Sequence, residues 1–216
     1  FALTSGRRAF LSQHIGDVSD ADNAAHFAQS FARFSELLRL EPTAVACDMH
    51  PDYPTTAFAR ELARRRGLPL LQVQHHHAHI ASCLAEHGLA GPVIGVSMDG
   101  TGYGEDGAVW GGEFLVADLK RYERTCHLQY VPMPGGEQAV LEPDRMALAH
   151  LARALGPGEA LRRLAPSLGE QACSTLLAVM ERPQFSPPTS SCGRLFDAVS
   201  ALLGVPRRTA GRVTYE

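Results

Sequence analysis

Four of the ten histidines fall within five residues, in the run His75-His76-His77-Ala78-His79. On a helix His75 and His79 stand at i and i+4, so their imidazoles share one face and can close on a single metal ion. Neutral imidazole at this spacing suits zinc or iron(II), while His76 and His77 project elsewhere. The competing reading is a set of solvated or hydrogen-bonded rings at a helix start. Four histidines in five residues between two apolar segments weigh towards the metal. Asp99 ends the next apolar run, twenty residues after His79, and opens the string D-G-T-G-Y-G. A carboxylate at a strand tip, in an α/β sheet where strand ends bind ligands, suits a third metal ligand. The bare amides of Gly100 and Gly102 can approach an anion, and Thr101 adds a hydroxyl. The same letters also spell a plain hairpin turn, for which D-G is a strong signal.

A third cluster lies in SSCGRLFDAV, residues 190–199. Gly193 at a loop-to-helix junction lets a nucleotide come close, and Asp197, one turn on, can accept from ribose hydroxyls. The plainer alternative is a helix start capped by Ser190 or Ser191. Asp48 and His50 in CDMHPDY end a strand and read equally well as site residues or as a turn. Gly135, Gly136 and Glu137 stand where a cleft between lobes would open.

These residues need elements to hold them. Residues 1–4 read as the end of a strand and residues 12–20 as a loop. A helix is predicted over 21–40, where Phe27, Phe31, Phe34 and Leu38 form one apolar stripe. Strands follow at 44–49 and 69–73, with a helix at 55–66 between them closed by Gly67. A third helix runs over 75–87 and stops at Gly88. A strand over 92–98 enters a glycine-rich turn at 99–107, and 109–117 is its hairpin partner. Alternating strands and helices with one hairpin predict an α/β fold with a mixed sheet. From Glu142 the pattern is helical, interrupted by the prolines of 183–188, so the boundary falls at 132–136. This gives an α/β lobe over 1–135 carrying the metal and phosphate motifs, and a mainly helical segment of the same domain over 136–216. The final VTYE reads as a strand cut short.

The chain of 216 residues is 45% hydrophobic and 20% charged, ample for a packed core. A net charge of -3 and a pI near 6.4 supply no basic field for nucleic acid. No apolar run is long enough to span a bilayer, and there is no signal-peptide pattern at the start. The five cysteines are odd in number and form no C-x-x-C pair, which reads as reduced thiols in a cytoplasmic protein.

Taken in order, FLSQHIGD, CDMHPDY, VQHHHAHIASCLAEHG, VIGVSMDGTGYGEDGAVWGGEFL, MPGGEQAVLEPDRMALAHL and SSCGRLFDAVSALLGV cover nearly the whole chain. Together they resemble the C-terminal carbamoyltransferase domain of the HypF family of nickel–iron hydrogenase maturation factors. The resemblance implies an actin, sugar-kinase and Hsp70-like (ASKHA) fold whose lobes enclose a nucleotide, with the second lobe truncated here. It implies a carbamoyltransferase in which carbamoyl phosphate and ATP give carbamoyl adenylate. The carbamoyl group then passes to the C-terminal cysteine of a HypE-type acceptor protein, towards cyanide ligands of the hydrogenase centre. By motif, His75, His79 and Asp99 would ligate a divalent metal, zinc or iron. Gly100, Thr101 and Gly102 would face the phosphate or carbamoyl adenylate, and Gly193 and Asp197 would lie near the nucleoside. The rival readings are a small-molecule O-carbamoyltransferase and a non-catalytic metal- or nucleotide-binding module.

Overall fold

The computed structural model describes residues 1–205. The chain divides into two compact units, Phe1–Gln74 and His75–Glu216. The terminal VTYE lies outside the described residues.

In the first unit, β1 (Ala2–Ser5) and β2 (Arg8–Leu11) form an antiparallel hairpin, so the predicted first strand turns back on itself. Helix α1 (Ala21–Leu38) begins at Asp20, whose carboxylate accepts from the backbone N–H groups of Asp22 and Asn23. Its Phe27 and Phe31 are buried, and both rings meet Phe1 and Phe58 edge-on. Strand β3 (Val45–Asp48), helix α2 (Pro54–Arg66) and strand β4 (Leu70–Val73) form a βαβ unit, with β3 and β4 paired in parallel. Gly67 ends α2 at φ 63°, a left-handed conformation that glycine adopts without cost. Asp20→Ala leaves two N–H groups of α1 without their acceptor. It should cost about 1 kcal/mol of stability, measured by urea denaturation.

The second unit opens with α3 (His75–Glu86). Strands β5 (Val93–Tyr103), β6 (Val109–Ala117) and β7 (Tyr122–His127) then run as an antiparallel meander. Two short strands, β8 (Val131–Pro132) and β9 (Pro188–Thr189), extend the sheet. The β9 strand pairs in parallel with β6, so the sheet is mixed as expected. Between β8 and β9 the chain forms α4 (Gln138–Leu141), α5 (Pro143–Leu155), α6 (Pro157–Leu168) and α7 (Glu170–Met180), and α8 (Cys192–Leu202) follows β9. One core gathers Met146, Ala147, Leu148 and Leu151 of α5 with Leu164, Cys173 and Ala198 of the neighbouring helices. A smaller one seats Ile80 and Leu84 of α3 on Leu115 and Ala117 of β6. Residues 132–136 lie inside this unit, where Met133 and Gly135 donate backbone hydrogen bonds to Pro187 and Phe185.

Two elements differ from the sequence reading. Strand β7 was not expected, because YERTCH shows no apolar alternation. The string D-G-T-G is not the hairpin turn but the end of β5. The turn sits at Gly104–Gly107, where Gly107 (φ 78°) donates to the Gly104 carbonyl. The sequence offers two D-G pairs, and pairing of β5 with β6 uses the second, Asp106-Gly107, as its turn. All five cysteines are free thiols.

Candidate metal centre

The first D-G pair is absorbed as an irregularity in the ladder. Met98 stands opposite Gly112 and Gly102 opposite Trp110, so Asp99, Gly100 and Thr101 face Gly111 alone. Extra residues on one strand unpair the backbone locally and re-aim side chains, as bulges do beside ligand sites. Here the effect is to bring the Asp99 carboxylate to the first turn of α3.

Helix α3 lies hard against β5 at two glycines. A Cβ at Gly95 would fall 2.2 Å from the end of Ile80, and one at Gly102 would fall 2.4 Å from His76 Cε1 and 3.1 Å from His75 Cδ2. With α3 so placed, His75 Nε2 stands 3.0 Å from Asp99 Oδ2 and 3.1 Å from His79 Nε2. His79 Nε2 is 3.5 Å from the same carboxylate oxygen. Four-coordinate zinc with nitrogen and oxygen ligands sets neighbouring ligand atoms about 3.3 Å apart, so this triangle fits one face of such a tetrahedron. The donor set, two imidazoles and a carboxylate, also suits iron(II). Hydrogen bonding from His75 holds the Asp99 carboxyl down at about 2. Burial opposes this, and the Gly100 N–H adds to it. Asp99 is therefore a carboxylate, ready to ligate, at any ordinary pH.

The other two histidines of the run have different tasks. His76 is fully buried beside the Trp110 ring. His77 Nε2 lies 2.8 Å from the Asp118 carbonyl, which anchors α3 to the end of β6.

The third motif meets the first two through backbone. Ser191 caps α8, its Oγ accepting from Arg194 N–H and donating to the Gly100 carbonyl at 2.7 Å. Gly193 is needed for this approach, because a Cβ there would fall 2.7 Å from the Gly100 Cα. Asp197 is buried and accepts from Arg194 Nε, while Arg194 Nη1 reaches the Gly100 carbonyl at 3.3 Å. Gly100, Gly193 and Asp197 are thus neighbours, although 93 residues separate the first two (193 − 100). Thr101 is exposed and Gly102 buried against the histidines. In the first unit, Asp48 accepts from the His50 N–H, and the His50 ring stacks on Tyr53 at 4.2 Å.

Sequence reasoning missed the polar cluster behind this site. Glu113, fully buried, accepts from the N–H groups of Gly111 and Gly112, from Ser190 Oγ and from Arg124 Nε. Burial pushes its carboxyl up, but these four donors outweigh that and leave it below the usual value. The Arg124 guanidinium lies 3.7 Å over the Trp110 ring and also donates to Tyr130 and Asp106. The available signal was a lone acid inside the otherwise apolar VWGGEFLVA.

Comparison with known proteins agrees with this architecture. The family model described as "HypF Kae1-like domain" matches residues 1–86. That described as "Carbamoyltransferase, Kae1-like Domain, second subdomain" matches residues 95–216. Carbamoyltransferase HypF2 of Cupriavidus necator is 44% identical over 94% of this chain and 25% of its own length. Carbamoyltransferase HypF of Rhizobium leguminosarum bv. viciae is 41% identical over 94% and 26%. A HypF homolog of Cupriavidus necator is 43% identical over 95% of this chain and 52% of its own. A full-length HypF crystal structure in the phosphate- and nucleotide-bound form superposes with a TM-score of 0.89 at 41% identity, covering 98% of this chain and 27% of that one. HypF of T. kodakarensis gives 0.83 at 34% identity, covering 94% and 28%.

The fold is thus of the Kae1-like, ASKHA type. The chain belongs to the HypF carbamoyltransferase family, in its Kae1-like domain. It spans between a quarter and a half of the length of these relatives. No helix among the described residues is long and apolar enough to cross a membrane.

Proposed function

We propose that this chain is the carbamoyl-transfer domain of a hydrogenase maturation carbamoyltransferase, using a divalent metal held by His75, His79 and Asp99. The observation that carries the reading is the convergence of those three ligand atoms within 4.8 Å of one another in a chain of this family. The donor would be carbamoyl adenylate made from carbamoyl phosphate and ATP. The acceptor would be the C-terminal cysteine of a HypE-type protein. Its sulfur bonds to the carbamoyl carbon as the bond from that carbon to the adenylate oxygen breaks, and AMP leaves with the electron pair.

A bound metal would supply Lewis acidity to the carbamoyl carbonyl, where negative charge develops. The protein's part is positional. Helix α3 fixes both imidazoles, the irregular end of β5 aims Asp99, and on this reading residues 100–102 face the phosphate, with the exposed Thr101 offering its hydroxyl. On this reading Gly193 and Asp197 lie near the nucleoside, and Asp197 shares its carboxylate between Arg194 and the ribose. No general base is required, because the acceptor attacks as a thiolate and adenylate is a good leaving group.

Metal content by mass spectrometry, comparing the chain with its His75→Ala/His79→Ala double variant, tests the reading. About one zinc or iron per chain, absent from the variant, is expected. In the full-length enzyme the same pair of changes should stop carbamoylation of the acceptor cysteine. Equal metal in both proteins, or transfer that survives the double change, would refute it.

A further inference from the structure

The Glu113 cluster lies behind the metal site, and none of its members is among the three ligands. Its wiring nevertheless runs to one of them. Glu113 Oε1 takes three donors at once: Gly111 N–H at 3.0 Å, Gly112 N–H at 3.1 Å and Ser190 Oγ at 2.5 Å. The first two belong to β6 and the third to the segment entering α8. One buried carboxylate oxygen therefore ties together two walls that are 77 residues apart in sequence.

Both walls press on the backbone of Asp99. A Cβ on Gly111 would stand 2.6 Å from the Asp99 carbonyl oxygen and 3.0 Å from the Ser191 Cα, so all three meet in van der Waals contact. Ser191, the neighbour of the tied Ser190, donates to the carbonyls of Gly100 at 2.7 Å and Asp99 at 3.2 Å. Asp99 has no regular ladder partner, because it sits in the irregular stretch of β5. What fixes its backbone is this clamp, and the clamp closes on Glu113. Glu113 Oε2 is held at 2.6 Å by Arg124, itself pinned over Trp110 and by Tyr130 and Asp106. A buried carboxylate with four donors, one of them a paired guanidinium, is a rigid anchor, whereas losing a partner leaves donors unsatisfied.

We propose that Glu113 is a positioning residue for the His75–His79–Asp99 centre, acting through Gly111 and Ser190–Ser191 to hold Asp99 at ligand geometry. This rests on the metal reading of the preceding section. Outer partners of metal ligands commonly contribute about 10- to 100-fold to metal affinity.

The test is Co2+ and Zn2+ affinity of the metal-stripped chain and of Glu113→Gln, with the absorption bands of bound Co2+ as a report of ligand geometry. Glutamine keeps the shape but turns an NH2 group towards donors, or presents one neutral acceptor where a charged one stood. Leu164→Ala, in the helical core among α5, α6 and α7, serves as a control that lowers the melting temperature without touching the clamp. The expected result is affinity weakened about 10- to 100-fold in Glu113→Gln with altered Co2+ bands, and wild-type affinity and bands in Leu164→Ala. Should Glu113→Gln fail to fold, Ser190→Ala removes one arm of the same clamp and should weaken affinity in the same direction. If the wild type binds metal and both clamp variants bind it equally well with unchanged bands, the inference is wrong while the metal reading stands. If the wild type binds no metal, both fall together.

Discussion

Gly102→Ala should weaken divalent-metal binding by more than about 100-fold, beyond what loss of an outer partner usually costs. The added Cβ would fall 2.4 Å from His76 Cε1, 3.1 Å from His76 Nδ1 and 3.1 Å from His75 Cδ2. His76 cannot retreat, because it is fully buried beside Trp110. Either the end of β5 moves away from α3, carrying Asp99 with it, or the first turn of α3 lifts and carries His75. Each response opens the 3.0 Å contact between His75 and Asp99 on which the triangle depends. Gly158→Ala is the control: it lies in helix α6 with nothing within 4 Å of its Cβ, and alanine there should be neutral or stabilising. Isothermal titration with Zn2+, alongside melting temperatures of the three proteins, decides the matter. Wild-type affinity in Gly102→Ala would mean that α3 and β5 have more freedom than their contact suggests.

The two halves of the metal site differed in how far the sequence could describe them. That His75 and His79 share a helical face follows from 3.6 residues per turn, a local rule that tertiary packing did not override. That Asp99 joins them depended on where α3 docks. The cause of that docking, glycines 95 and 102 cut away for Ile80 and the histidines, is invisible until the partners are known. The turn expected over 99–107 begins only at Gly104, for a related reason. D-G is a local signal, and Asp99-Gly100 and Asp106-Gly107 carry it equally. Pairing across β6 chose between them, and pairing is not local.

Gly193 shows the same limit. Read as space left for a nucleotide, it also serves the backbone approach of α8 to Gly100. Its partner is 93 residues upstream (193 − 100) and leaves no mark on the motif itself. Glu113 was the largest omission. A single acid in an apolar strand can be an outward-facing charge, and only the inward position of Ser190 and Arg124 shows that it is the centre of a cluster. The fold class was more legible than any of these, because alternating strands and helices constrain topology strongly and several motifs pointed to one family.

Acid should weaken the second unit well before its carboxylates titrate, and His76 is the reason. Burial pulls its imidazole down to about 4, the charge of His75 adds to that, and Glu113 and Asp99 only partly oppose it. An unfolded histidine protonates near 6.5, so above that pH both states are neutral and the folded state bears no penalty. As pH falls from 6.5 to about 4 the unfolded chain takes up a proton that folded His76 refuses, and stability drops. The drop levels off once folded His76 also protonates, having cost about 3 kcal/mol for a shift of about 2.5 pH units. His150, also lowered by burial, acts in the same direction. Asp99 contributes only further down, between the ordinary carboxylate range and about 2, so it does not blur this window. Urea midpoints of the metal-stripped chain in chelator should therefore fall steadily between pH 6.5 and 4.5. Ring chemical shifts identify the group responsible: the His76 ring should stay neutral down to about pH 5, well below the ordinary imidazole value of about 6.5. A His76 ring that titrates near 6.5 would mean that water reaches it, and that the seat it provides beneath Gly102 is looser than the packing of α3 on β5 requires.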